Sequence, residues 1–358
     1  MKKVLLLTDS LGAGGAQRQL VGLAVLLKDS GYEVKVCTYY DFDFYKSVLD
    51  DNGVFNELIP DASNRLTRIL SIRAYLKRER PDCVISYQET PSLVASLIRA
   101  SGVKYNLIVS ERNTTQRIGL NERIRFRLYR WADSIVPNSY AQERFLLSRH
   151  PWMAPGIKTI TNFVDLQKFS PEEHRRHPIP EILVVGSISQ SKNTKGFIKA
   201  IKALKEKGLS FHANWYGWTD SPNDYMNEAQ MLVNELNLND VFEFRNKTLD
   251  IAPVYKAADY FCISSFYEGT PNVLCEAISC GCPVAASKVC DNARYAREGV
   301  NGFLFDPGDV ESITEALEHL LALNDQEYIN FRRNSRHIAE ELLSQEAFLQ
   351  QYISLIEA

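Results

Sequence analysis

Twice along this chain, short apolar runs alternate with amphipathic stretches, and one polar, proline-bearing break separates the two series. In the first series, strands are expected at residues 4–8, 34–39, 83–86, 107–110 and 134–137, with helices at 16–29 and 66–78. The break is the run SPEEHRRHPIP, residues 170–180, with three prolines and no apolar period. Alternation then resumes, with strands at 182–185, 211–216, 260–263 and 284–286 and helices at 197–207, 227–236 and 272–279. Strand–helix alternation of this kind specifies a parallel, doubly wound sheet covered by helices on both faces. The chain is therefore α/β, with two Rossmann-like domains, 1–170 and 171–344. A terminal helix in 345–358 is expected to pack back on the first domain.

Composition narrows the function classes. At 358 residues with 45% hydrophobic and 24% charged content, the chain is long enough for two cores and too apolar for general disorder. No apolar run approaches the ~20 residues a membrane-spanning helix needs. The initial apolar stretch stops at Thr8-Asp9, too soon for a secretory leader, so a cytoplasmic location is expected. The seven cysteines lack zinc-site spacing and read as reduced core residues. Charge is uneven. Residues 1–170 hold 24 basic and 17 acidic groups, and the remainder 17 and 27, for a net of −3. The segment 65–130 carries 14 basic against 5 acidic residues, either as solvated helix faces or as a surface for an anionic membrane. No nucleic-acid-binding module is present, so no nucleic acid partner is expected.

Two constellations carry chemistry. The first strand runs into a glycine-rich turn, Gly12-Ala13-Gly14-Gly15, followed by Arg18. Such a turn before a helix exposes backbone N–H groups to an anion, which places Gly14, Gly15 and Arg18 near a phosphate. It is not a dinucleotide fingerprint, because Gln17 occupies the third glycine position. The second constellation is Glu268-Gly269-Thr270-Pro271-Asn272-Val273, then Glu276-Ala277 and Gly281-Cys282-Pro283-Val284. Thr270 as N-cap and Pro271 as first helical residue start a helix whose free N–H groups face the strand ends. Glu268 and Glu276 flank that helix start, and a carboxylate accepts from two neighbouring hydroxyls at once, as a sugar diol offers. Alternatively, Glu268 caps the helix and Glu276 is a surface residue.

The second constellation resembles the E-x7-E signature of the family 4 glycosyltransferases, retaining enzymes of GT-B fold. Further matches are Gly14-Gly15-Ala16, Asp133-Ser134-Ile135-Val136-Pro137-Asn138-Ser139, Asn162-Phe163-Val164-Asp165, and Asn301-Gly302-Phe303-Leu304 with Pro307-Gly308-Asp309. The resemblance implies two Rossmann-like domains facing each other across a cleft, with the acceptor on the first and the nucleotide sugar on the second. It also implies that Glu276 holds the donor ribose and Glu268 the transferred sugar. The amides of Gly269 to Val273 would contact sugar and phosphate, and Lys192 the diphosphate. The expected activity is retaining transfer from a nucleotide diphosphate donor, a UDP-sugar before GDP-mannose, to a lipid-linked or polysaccharide acceptor. The nucleotide sugar is a substrate, so no cofactor and no metal are expected; Asp41-Phe42-Asp43 reads as a loop, not a metal motif.

This chain departs from the family pattern twice. Ser187 stands where the family places an arginine beside the diphosphate, and Arg18, Lys195 or Arg112 would have to compensate. Glu111, in Ser110-Glu111-Arg112-Asn113, stands where many members have a histidine. Glu111 is expected to meet the acceptor hydroxyl or to pair with Arg112, and Arg112 and Asn113 to contact the acceptor. The arginines 117, 123, 125, 127 and 130 read either as solvated side chains on a helix whose apolar positions face the core or, as the resemblance implies, as a surface resting on anionic lipid. Two other functions stay open at the level of sequence, a nucleotide-sugar epimerase on the same scaffold and a degenerate sugar-nucleotide-binding partner of another transferase.

Overall fold

The computed structural model describes residues 1–358 except 63, 113, 116, 117, 174, 220 and 249, and the side chain of 65. The chain divides into two compact units, Met1–Asn162 with Glu346–Ala358, and Phe163–Gln345. The division falls before the polar break at 170–180, because Val164 and Phe169 are already buried in the second unit's core. The Val164 amide also donates to Leu343 O at 3.1 Å.

The first unit holds six parallel strands: β1 (Lys3–Leu7), β2 (Glu33–Thr38), β3 (Phe55–Leu58), β4 (Cys83–Tyr87), β5 (Asn106–Glu111) and β6 (Ser134–Pro137). Their order is β3-β2-β1-β4-β5-β6. Val4 to Leu7 and Cys83 to Ile85 are fully buried on both faces, hence their unbroken apolar runs. Each such aliphatic side chain contributes about 1.5–3 kcal/mol on leaving water. The helix Gln345–Glu357 packs here: Tyr352 Oη lies 3.2 Å from Tyr87 Oη, and Asn106 Nδ2 donates to Leu355 O at 2.8 Å.

The second unit repeats the plan with β7 (Glu181–Val185), β8 (His212–Trp218), β9 (Phe242–Asn246), β10 (Tyr260–Ile263), β11 (Val284–Ser287) and β12 (Gly302–Phe305). The order is β12-β11-β10-β7-β8-β9, again all parallel. Each sheet reverses its winding between two central strands, β1 and β4 in the first unit, β7 and β10 in the second. Open α/β sheets bind ligands outside the carboxyl ends of the strands at such a reversal. The seven cysteines are all free and six are buried. Among the described residues, no helix is long and apolar enough to cross a membrane.

Candidate active site

In the second unit, β7 ends at Val185 and is followed by Gly186, whose φ of +152° favours glycine. The chain then passes Ser187 and a short turn, Gln190–Lys192, and enters the helix Thr194–Glu206 through Asn193 in the left-handed conformation. Neighbouring β10 ends at Ile263 and leads through Ser264 and Ser265 to the helix Asn272–Ser279. Two bonds lace these loops together: Ser264 Oγ donates to Lys192 O at 2.8 Å, and Phe266 N to Ser191 O at 2.9 Å. The lacing sets Lys192 Nζ 2.5 Å from Glu268 Oε1, and the same oxygen accepts from Ser265 Oγ at 2.5 Å. An ammonium and a carboxylate thus share one spot at the sheet's reversal, the pair best suited to meeting a diphosphate and a diol together.

The helix beside them spans Asn272–Ser279 as expected, but its N-cap is Pro271, not Thr270. Glu276 is not a surface residue. It is 3% exposed, among the wholly buried Leu274 to Ser279. One oxygen of Glu268, Oε1, is turned to Lys192 and Ser265. Thr270 and Pro271 are buried, while Gly269, Asn272 and Val273 keep partial exposure. Ser187 is exposed and begins a string of hydroxyls, with Ser187 Oγ 3.5 Å from Ser189 Oγ and Ser189 Oγ 3.1 Å from Ser191 Oγ. Lys195, a candidate to replace the missing arginine, has its Nζ paired with Glu228 Oε2 at 2.7 Å over the Tyr225 ring. Asn193 Nδ2 donates to Pro307 O at 2.7 Å and so ties the lysine loop to Pro307-Gly308-Asp309. Asn301, fully buried, donates to Tyr295 O and Ser335 Oγ, so its motif holds shape.

In the first unit, Gly14 caps the helix Gly15–Asp29 and half-buried Arg18 lies in its first turn. A Cβ at Gly14 would fall 2.2 Å from Gln17 Oε1, so the glycine lets that carboxamide fold back. Gln17 Nε2 donates to Asp9 Oδ1 at 3.2 Å. Gln88, at the end of β4, closes the group. In the amide orientation its neighbours require, it donates to Asp9 Oδ1 at 2.8 Å and accepts from Gln17 Nε2 at 3.1 Å. Its backbone is strained, with φ 73° and ψ 174°, values that a side chain adopts at a cost of about 1–3 kcal/mol. Sequence reasoning missed both Asp9 and Gln88; the one available signal was their place at the ends of central strands.

Glu111 requires a correction. It is 1% exposed, and it pairs with Arg125, not Arg112: Arg125 Nη2 lies 3.3 Å from Glu111 Oε2, and Tyr129 Oη donates to Oε1. Burial pushes the Glu111 carboxyl above the ordinary range, while the Arg125 charge and the Tyr129 hydroxyl pull it back. A carboxylate so enclosed is not offered to an acceptor hydroxyl. Arg112 is also interior, donating to Ser110 Oγ at 3.3 Å and Asn162 Oδ1 at 2.9 Å, with its guanidinium over the Tyr87 ring. Asn113 and Arg117 lie outside the described residues. The basic face is likewise split, since Arg123, Arg127 and Arg130 are exposed whereas Arg125 is buried. Asp41 and Asp43 sit exposed in the loop after β2.

Two family models match the chain, one described as Glycosyltransferase Family 4 over residues 13–168, the other as Glycosyl transferases group 1 over residues 179–323. The chain belongs to the family 4 glycosyltransferases. This glycosyltransferase is 24% identical, over 93% of its length and 91% of the relative's, to a Campylobacter jejuni enzyme. That relative is named GalNAc-alpha-(1->4)-GalNAc-alpha-(1->3)-diNAcBac-PP-undecaprenol alpha-1,4-N-acetyl-D-galactosaminyltransferase. Over 96% of both chains it is 25% identical to the lipopolysaccharide core biosynthesis glycosyltransferase LpsE of Rhizobium meliloti. Among solved structures, HepE of Anabaena in complex with UDP and glucose superposes with a TM-score of 0.87 at 19% identity, covering 100% of both chains. Two parallel six-stranded sheets with such neighbours give the glycosyltransferase its GT-B fold.

Proposed function

We propose that this glycosyltransferase moves a sugar from a UDP-sugar to a lipid-linked glycan in surface polysaccharide synthesis, with retention of anomeric configuration and without a metal. The observation that carries the donor half is the contact of Lys192 with Glu268 at the carboxyl ends of β7 and β10. On donor binding, Lys192 turns to the diphosphate together with the N-terminus of the helix Asn272–Ser279. Glu268, still held by Ser265, is then released to accept from the sugar hydroxyls, and buried Glu276 takes the ribose. Charge builds on the leaving diphosphate, which removes the acceptor's proton on the same face as it departs. A donor carrying UDP is favoured by the UDP-bound HepE neighbour.

The acceptor half draws on the relatives, the first of which is named for an undecaprenol diphosphate substrate. Support within the chain comes from the helices Arg65–Glu79 and Leu120–Leu128, where exposed Leu66, Leu70, Leu120 and Ile124 stand among Arg123, Arg127 and Lys77. Exposed leucines interleaved with cations suit the cytoplasmic face of an anionic bilayer. The test incubates radiolabelled UDP-glucose, UDP-galactose, their N-acetylamino counterparts and GDP-mannose with the enzyme and bacterial membranes, with and without EDTA. Label in lipid, an α-linkage by NMR and no loss with EDTA are the expected results. Epimerised free nucleotide sugar, or donor binding without transfer to any membrane, would overturn the proposal.

A further inference from the structure

The two loops that meet where the second sheet reverses are short of charge. Residues 186–193 hold one charged side chain, Lys192, and residues 264–273 hold one, Glu268. These two are paired with each other, Lys192 Nζ donating to Glu268 Oε1 at 2.5 Å, and Nζ has no second partner among the described residues. Ser187 stands where the family has an arginine. Within these loops a diphosphate therefore finds no cation except the one that Glu268 already holds.

The backbones carrying the pair are fixed, and the lysine side chain is not. Ser264 Oγ donates to Lys192 O, Phe266 N to Ser191 O, and Asn193 Nδ2 to Pro307 O, which ties the lysine loop on both sides. The lysine stem passes Gly186, where a Cβ would lie 3.9 Å from Lys192 Cε, so the bare glycine leaves it room to turn. Glu268 is less free. Its side chain is 11% exposed against 27% for the lysine, and the shared oxygen also accepts from Ser265 Oγ at 2.5 Å. The ammonium can change partner by rotamer alone, a ps–ns motion, while the carboxylate stays in place.

An ammonium has donors for a second acceptor. Serving both anions from one nitrogen, however, would set carboxylate and phosphate about 4–5 Å apart, a repulsion several times thermal energy even at an effective dielectric near 20. A nucleotide sugar relieves that conflict, because its diphosphate takes the ammonium while sugar hydroxyls take the ammonium's place at Oε1. A nucleoside diphosphate that has lost its sugar offers nothing in exchange.

We infer that Glu268 acts on the product as well as on the donor: it competes with sugar-free UDP for Lys192, so that the site favours UDP-sugar over UDP and lets UDP go once the sugar has been transferred. The inference rests on the donor reading above and specifies how that pair regulates its own site.

The test titrates the full chain by calorimetry with UDP and with whichever it binds best of UDP-glucose, UDP-galactose and their N-acetylamino counterparts. In Glu268→Gln, which keeps the shape and removes the charge, UDP should bind about fivefold tighter, the equivalent of about 1 kcal/mol, and the UDP-sugar about tenfold more weakly. The same change in a Lys192→Met background, read by saturation-transfer NMR because binding is weaker there, should move UDP by less than twofold, since no ammonium is left to compete for. Unchanged UDP affinity with a weakened UDP-sugar overturns the inference and leaves the donor role of Glu268 standing. Equal tightening with and without Lys192 also overturns it, because bare repulsion between carboxylate and diphosphate would then suffice. If the UDP-sugar tightens as much as UDP, Glu268 has no hold on the sugar, and the donor role falls while the competition stands. Failure of UDP to bind the unaltered protein overturns both.

Discussion

Replacing Lys192 by methionine separates the two things this lysine does. In the unliganded protein it pairs with Glu268 at 2.5 Å, with side chains 27% and 11% exposed. Because solvent still reaches the lysine and Ser265 keeps its bond to the same carboxylate, losing the pair costs about 1 kcal/mol of stability. For a unit of this size that lowers Tm by roughly 2–4 °C. Opposite a departing diphosphate the same charge is worth more. Deleting one such preorganised donor raises the barrier by about 3–4 kcal/mol, or ~10²–10³ in kcat. Coulomb's law at an effective dielectric near 20 gives about 4 kcal/mol for charges 4 Å apart, the same order. Initial rates at saturating acceptor, UDP titration calorimetry and a melting scan read the three quantities independently. A fall in kcat below about fivefold with unchanged UDP affinity would refute the phosphate role and leave Lys192 as a prop for Glu268.

Three further outcomes are expected. Ser187→Arg should tighten UDP about tenfold by adding a charge-assisted hydrogen bond, as calorimetry reads it, and no change would remove Ser187 from the phosphate site. Arg125→Met leaves Glu111 buried without its counter-charge, so denaturant unfolding should show a loss of about 3–5 kcal/mol; a loss near zero would mean the ion pair is not what holds β5 to its helix. Hydrogen bonds from Lys35 and Lys3 hold the Glu79 carboxyl down at about 2, from an ordinary 4.5. A depressed pKa contributes stability above the unfolded value that drains away as pH falls, here from 4.5 toward 2. Chemical denaturation across that window should lose stability more steeply than in Glu79→Gln, and identical slopes would contradict the assignment.

How much of this was legible in the sequence follows from burial. The central strands β1, β4, β7 and β10 announce themselves because both faces of their middles are covered and the runs there are almost wholly apolar. Edge strands β3 and β9, Phe55-Asn56-Glu57-Leu58 and Phe242-Glu243-Phe244-Arg245-Asn246, mix polar and apolar residues under partial exposure and were not singled out. Glu268 and Lys192 were each identified by motif, but no spacing rule reports a contact between residues 76 positions apart. Pairing Glu111 with the adjacent Arg112 failed for a plain reason. Successive side chains at a strand end point to opposite faces, so the partner came from a helix fourteen residues away. Gln88 was invisible because its strain lies in backbone angles that its residue type does not advertise.

Gly217, on β8, touches none of the groups assigned to the donor, yet a Cβ there would fall 1.9 Å from Gly186 O, the carbonyl to which Trp215 Nε1 donates at 2.9 Å. The loop carrying Lys192 is thus seated against bare backbone on the neighbouring strand. A single methyl group at 217 would unseat that loop and move the ammonium off its carboxylate while every donor-facing side chain stayed unaltered. Variation at a residue that never meets substrate would therefore silence transfer, and a survey of inactive variants confined to the motif residues would overlook it.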